Sequence, residues 1–138
     1  MKHEFTQRVY YADTDAYGVV WHGAYLRWME QGRVELCDKL GLDLVELKKN
    51  DIAIPVTNMN VRYKSSAKLD DRVVIETCIK ELTPIRITFG QKIRNAQTGA
   101  LHIIAEFETV AVNNEGRLYR EMPEVLKSKL EKGLLCRD

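Results

Sequence analysis

Gly23-Ala-Tyr-Leu-Arg-Trp-Met-Glu30-Gln-Gly-Arg-Val-Glu-Leu-Cys-Asp-Lys-Leu40 is the long stretch of helical periodicity in this chain, and it decides how the rest must pack. Tyr25, Met29, Gly32, Leu36 and Leu40 fall on one side, with Trp28 and Cys37 widening the stripe, while Arg27, Gln31, Glu35 and Asp38 fall on the other. Such a stripe predicts a helix of roughly five turns that buries one whole face. Gly32 lies in that face, where it lets another backbone come close at a helix-propensity cost of ~1 kcal/mol. Gly41 supplies the stop signal.

Downstream the pattern turns to strands: Ile52 to Tyr63, Arg72 to Leu82, Ile85 to Asn95 and Leu101 to Asn113. Turn residues at 95–99 and 113–116 predict hairpin connections. In the first of these strands apolar parity runs Ile52, Ile54, Val56 and then Met59, Val61, Tyr63, which predicts a bulge near Thr57 or Asn58. Asp43 to Lys49 can add a short helical turn or two, and Met122-Pro123-Glu124 opens an amphipathic end helix closed by Gly133. Upstream, Glu4 to Tyr11 reads as a first strand, ended by the turn-rich ADTDAYG. One long helix must therefore serve a whole antiparallel sheet. The fold class is α+β, a long curved antiparallel sheet wrapped around one central helix, since a ferredoxin-like fold would need a second long helix. Apolar residues on both parities, as in Val73-Val74-Ile75 and Ile103-Ile104-Ala105, predict that the other face and the edges meet a partner subunit.

The 138 residues suit one domain, 1–138, with no repeat or linker. Hydrophobic residues at 45% and charged residues at 30% fit a globular protein, and Lys plus Arg at 21 against 20 Asp plus Glu exclude a global basic field for nucleic acid. No apolar run approaches the ~20 residues of a membrane span, so a cytoplasmic setting is expected. Cys37, Cys78 and Cys136 are far apart and in no CxxC pair, which predicts free thiols, and His3, His22 and His102 lack metal-site spacing, so no metal is expected.

The segment ahead of the helix carries the chemistry: Tyr11-Ala-Asp-Thr-Asp15-Ala-Tyr-Gly18-Val-Val-Trp-His22-Gly-Ala-Tyr25, running into Glu30 and Arg33. It resembles the 4-hydroxybenzoyl-CoA thioesterase family of hotdog proteins, and is most similar to the short-chain acyl-CoA thioesterase branch associated with the Tol-Pal system. The resemblance continues through Val61-Arg-Tyr63 and Ala67-Lys-Leu-Asp-Asp71 and so covers essentially the whole chain. It implies a hotdog fold and hydrolysis of short-chain or small aromatic acyl-CoA to a carboxylic acid and free CoA. Asp15 is then the nucleophile or the base for the attacking water. The helix amide at His22 polarises the carbonyl, with the His22 side chain also in the motif. The resemblance further implies an active site built across a homodimer, itself assembling to a homotetramer. No cofactor is implied, coenzyme A being part of the substrate.

Elementary chemistry agrees with this assignment. A thioester has an electrophilic carbonyl and a good leaving group, so a carboxylate can attack it or activate water without a metal. Free amides at a helix amino terminus suit the charge that develops on oxygen. Gly18 and Gly23 let backbone approach the substrate, and Tyr17, Val19 and Tyr25 are candidate contacts around it. Each position has a plainer reading: alone, Asp15 is a turn or cap residue, His22 a capping or packing residue, and the aromatics core. Asp13 reads as a turn former, and Glu30 and Arg33 as a pair with each other or a neighbouring chain. For the phosphates of CoA, Arg62, Lys64, Lys68, Arg86 and Lys92 are candidate cations. Ser66, where the family commonly has proline, and bulky Tyr17 depart from the pattern. Two other classes compete: a hotdog enoyl-CoA hydratase or dehydratase, whose Asp/His signature is closer-spaced than Asp15 and His22, and a non-catalytic acyl-CoA or acyl-carrier-protein binding module.

Overall fold

The computed structural model describes residues 1–134. Its elements in chain order are β1 (Lys2–Arg8), a short 3-10 turn (Tyr11–Asp13), α1 (His22–Lys39), α2 (Leu44–Lys49), β2 (Val56–Tyr63), β3 (Arg72–Leu82), β4 (Arg86–Asn95), β5 (Leu101–Val110) and α3 (Glu124–Lys132). The five strands form one sheet in the order β1-β3-β4-β5-β2, antiparallel at every junction. This is the hotdog arrangement, with α1 held in the curve of the sheet. The long β3 to β5 hairpins form the centre, and β1 and β2 are the two edges.

Alternation decides which face meets the helix. Val73, Ile75, Thr77 and Ile79 of β3, Ile87, Phe89, Gln91 and Ile93 of β4, and Ile103, Ala105, Phe107 and Thr109 of β5 are buried. Against them α1 buries Ala24, Tyr25, Trp28, Met29, Gly32, Leu36 and Cys37, the stripe expected from its periodicity. At Gly32 the helix lies close on the sheet, because a Cβ there would sit 2.4 Å from Thr77 Oγ1. The bulge is present between Val56 and Asn58. It changes the parity of β2, so Met59, Val61 and Tyr63 share the α1 side with Phe107, Ala105 and Ile103.

Several boundaries shift for local reasons. β1 ends at Arg8 rather than Tyr11, because Val9 pairs through its backbone with Asp70 and Asp71 and the Asp13 carboxylate captures the Tyr10 amide. Ile52 to Pro55 precede β2 proper, although Ala53 still bridges Val112. The outer sheet face differs from the expectation of an apolar surface. Val74 and Ile104 are half-buried there, among the ion pairs Lys2–Glu76, Arg94–Glu76, Lys80–Glu106 and Arg86–Glu108. Cys37 is a buried free thiol, its pKa pushed up to about 11 by burial. Cys78 is disulfide-bonded, which corrects the expectation of a free thiol there: distance along the sequence says nothing about proximity in a wound sheet. Cys136 lies outside the described residues. No helix among the described residues is long and apolar enough to cross a membrane.

Candidate active site

The loop between β1 and α1 is built by its two aspartates in different ways. Asp13 is 3% exposed: Oδ2 accepts the Tyr10 amide at 2.9 Å and Oδ1 accepts Arg27 Nη2 at 3.0 Å, so one carboxylate ties the loop to the first turns of α1. Its carbonyl accepts the Trp21 amide at 3.0 Å and closes the loop at its base. Asp15 instead opens a tight turn. Its carbonyl accepts the Gly18 amide at 3.0 Å, its amide donates to Val19 O at 2.9 Å, and Oδ1 accepts the Tyr17 amide at 2.8 Å. An aspartate that folds back on the amide two residues later is a standard turn device. Gly18 completes it at φ 77°, a conformation that side chains disfavour.

These bonds leave Asp15 Oδ2 without a hydrogen-bond partner among the described residues, on an exposed residue. Val19, across the turn from Asp15, is three residues from His22, at most about 10 Å of extended chain. Val19 bridges Lys68 and Val20 donates to Ala67 O at 2.9 Å, so the far side of the turn is laced to the segment after β2. The carboxylate and the start of α1 are thereby delivered to one end of the molecule.

α1 begins without a side-chain cap and without an acidic residue in its first turn. The Ala24 amide bonds back to Trp21 O, whereas the amides of His22 and Gly23 meet no protein acceptor among the described residues. Uncapped donors at the positive end of a helix dipole are a ready site for a developing oxyanion. The six-membered ring of Trp21 lies against Gly23, where a Cβ would come within 2.1 Å of the indole. The His22 ring stands edge-on to it, 5.8 Å between centroids.

Tyr17 is 90% exposed at the tip of the turn, and Tyr25 is 2% exposed in the core. The Tyr25 hydroxyl accepts the Ala67 amide at 2.9 Å, its ring lies 6.0 Å from that of Tyr63, and burial raises its pKa. Asp15 lines none of four cavities found among the described residues. The nearest in sequence, of about 420 Å³, is lined by Gln7, Tyr10, Ala12, Asp13, Arg27, Trp28 and Gln31. The site is therefore open in one chain, with Asp15 facing solvent.

Glu30 and Arg33 do not pair with each other. Glu30 is exposed, while Arg33 Nη1 donates to Gln91 Oε1 at 2.9 Å and its guanidinium lies 4.1 Å over the Phe107 ring. Of the candidate cations Arg86 is held by Glu108, whereas Arg62, Lys64, Lys68 and Lys92 have no ion-pair partner among the described residues. Sequence reasoning missed the Asp13–Arg27 tie and the packing of Trp21 on Gly23. The second had a signal, a glycine directly after an aromatic and a histidine at a helix start.

Comparison with known proteins adds the following. A family described as the thioesterase-like superfamily matches residues 9–130. The acyl-CoA thioester hydrolase YbgC of Escherichia coli is 33% identical over 124 residues, covering 90% of this chain and 92% of that protein. Among solved structures, the DHNA-CoA thioesterase of Staphylococcus aureus superposes with a TM-score of 0.83 at 27% identity, covering 95% of this chain and 91% of the other. A 4-hydroxybenzoyl CoA thioesterase complexed with 4-hydroxybenzoyl CoA also gives a TM-score of 0.83, at 26% identity and covering 94% and 98% of the two chains.

Proposed function

Because the chain belongs to the thioesterase-like superfamily, we propose that it hydrolyses acyl-CoA thioesters, releasing a carboxylic acid and free CoA, on short-chain or small aromatic acyl groups. The observation that carries this reading is the pair of unpartnered amides of His22 and Gly23, delivered by the same loop that presents the free oxygen of Asp15. The relatives named for acyl-CoA thioester hydrolysis and for aromatic acyl-CoA thioesters support the substrate class.

In this reading the thioester oxygen is held by the helix amides, which withdraw electron density from the carbonyl carbon. Asp15 takes a proton from water as that water's oxygen bonds to the carbon, or bonds to the carbon itself and is released by water in a second step. When Asp15 acts as base, the C–S bond then breaks with its electron pair on sulfur and the proton passes from Asp15 to the CoA thiolate. When Asp15 attacks, the C–S bond breaks as the acyl-Asp15 anhydride forms, and the proton released by water's later attack on that anhydride goes to the thiolate. A donor amide of this kind contributes ~3 kcal/mol, or about a hundredfold in rate. The reaction needs no redox step and its leaving group is already good, so no cofactor is required beyond the CoA within the substrate.

The open site is part of the same proposal: a second copy of the chain completes it. β2 leaves one backbone edge unpaired, and Val56, Met59 and Tyr63 along it are exposed, which is an edge suited to pairing. A homodimer joined there, assembling to a homotetramer, would cover the α1 end of the sheet. Arg62, Lys64 and Lys68, on or just after that edge, are then placed to meet CoA phosphates.

The test is a steady-state screen of wild type and Asp15→Asn across acyl-CoA lengths and aromatic acyl-CoAs. Turnover should fall by at least about 10³-fold in the variant with oligomeric state unchanged. A fully active, folded Asp15→Asn protein rejects the role given to Asp15.

A further inference from the structure

α1 crosses the sheet on a buried polar contact that the proposed chemistry does not use. Gln91, in the middle of β4, is 2% exposed and its amide is fully engaged. Nε2 donates to Met29 O at 2.8 Å and to Thr77 Oγ1 at 2.7 Å, while Oε1 accepts Arg33 Nη1 at 2.9 Å. The cluster sits at a close approach of helix and sheet, since a Cβ on Gly32 would meet Thr77 Oγ1 at 2.4 Å and Gln91 Nε2 at 3.1 Å. Arg33 makes no ion pair within 4 Å among the described residues, so the glutamine oxygen and the Phe107 face hold its guanidinium, while the Glu30 charge acts on it from farther away.

Away from this cluster the contacts between α1 and the central strands are apolar, and the helix meets the sheet through a further polar contact at the β1 edge, where His3 Nε2 and Glu35 Oε1 lie 2.8 Å apart; apolar contact is non-directional. A helix held by it alone can slide or rotate by a fraction of a residue at little expense. Hydrogen bonds of this length lose strength within a few tenths of an ångström and with misalignment, so they fix one axial setting. Met29 is seven residues from His22, about 10 Å along a rigid hydrogen-bonded helix, so a shift at Met29 arrives undiminished at the free amides. Misplacing a reacting group by ~1 Å can reduce turnover ~10²-fold.

We propose that Gln91 is a positioning residue: it keys α1 to β3 and β4 and so sets where the His22 and Gly23 amides stand relative to the thioester carbonyl. The proposal rests on the thioesterase reading above.

The experiment compares wild type, Gln91→Leu and Leu126→Ala, the last hollowing the core beneath α3 away from the cluster. Acyl-CoA turnover is measured together with the backbone amide resonances of His22 and Gly23. Gln91→Leu should lower kcat by about 10- to 100-fold with KM within about twofold, and should shift or broaden both resonances. Leu126→Ala, at a similar loss of Tm, should leave kcat and resonances near wild type. Wild-type kcat with unmoved resonances in Gln91→Leu overturns the proposal, as does an equal loss in Leu126→Ala. If wild type hydrolyses no acyl-CoA the thioesterase reading fails, and the resonances still decide whether Gln91 sets the helix. Should Gln91→Leu not fold, Gln91→Glu serves: its carboxyl can donate to Met29 O only when protonated, so kcat relative to wild type should fall as pH rises. A flat ratio counts against the proposal.

Discussion

Trp21 and Gly23 cannot be changed independently. In Gly23→Ala the new methyl occupies the place of the indole, and because the indole is the far end of a flexible side chain it swings away rather than unfolding the helix. Alanine for glycine in a helix adds up to ~1 kcal/mol of stability, so Tm should hold or rise slightly. Acyl-CoA turnover should fall and the Trp21 emission should change, while buried Trp28 stays silent. An unchanged emission spectrum rejects the packing described. His102 offers a second residue-level outcome. Ser65 Oγ donates to Leu101 O at 2.8 Å, so its lone pairs receive the His102 Nδ1 hydrogen, also at 2.8 Å, leaving Nε2 bare, buried and without a partner among the described residues. Burial therefore holds the imidazole pKa below its ordinary value. The unfolded chain takes up that proton near pH ~6.5 and the folded chain only at lower pH. The stability contributed is present above pH ~6.5 and is lost as pH falls through the folded pKa. His102→Gln should flatten the acid limb of a Tm-against-pH curve, and an identical limb would remove His102 as its source.

Among the elements, α1 was legible because a buried stripe repeats every three to four residues and any short window reveals it. β3, β4 and β5 were legible as long runs rich in strand-forming residues between turn signals, and the β2 bulge through its change of parity. What escaped was set by partners distant in sequence. Asp13 and Arg27 lie 14 positions apart and Gln91 lies 62 from Met29. Nothing in a local pattern shows that a strand glutamine reaches a helix carbonyl. The charged outer face was misread because Val74 and Ile104 stood out while the lysines and glutamates alternating with the core residues did not. At the site, the turn that holds Asp15 and the start of α1 were legible in the sequence, but the open state of the single chain was not. β2 carries an element-level outcome: Met59→Lys places a charge on the unpaired edge, on the α1 side. Sedimentation should then show a shift toward monomer with the fold retained by circular dichroism, and an unchanged oligomer would place the interface elsewhere.

Across the whole molecule, the two faces of the sheet do different work. The inner face buries aliphatic side chains around α1, and the outer face spends its alternation on ion pairs that are individually worth ~0–1 kcal/mol and keep that surface wet. The edges differ as well. β1 presents Lys2, Glu4 and Arg8, charges that discourage further pairing, while β2 presents Val56, Met59 and Tyr63.

Should a second copy complete the site across the unguarded β2 edge, catalysis becomes a matter of dosage. If turnover belongs only to the associated form, rate per milligram will not be constant: diluting a stock below its dissociation constant should make velocity fall with roughly the square of total protein, and substrate or a crowding agent should straighten the curve. A cell holding little of this protein would then have almost none of its activity, without any inhibitor.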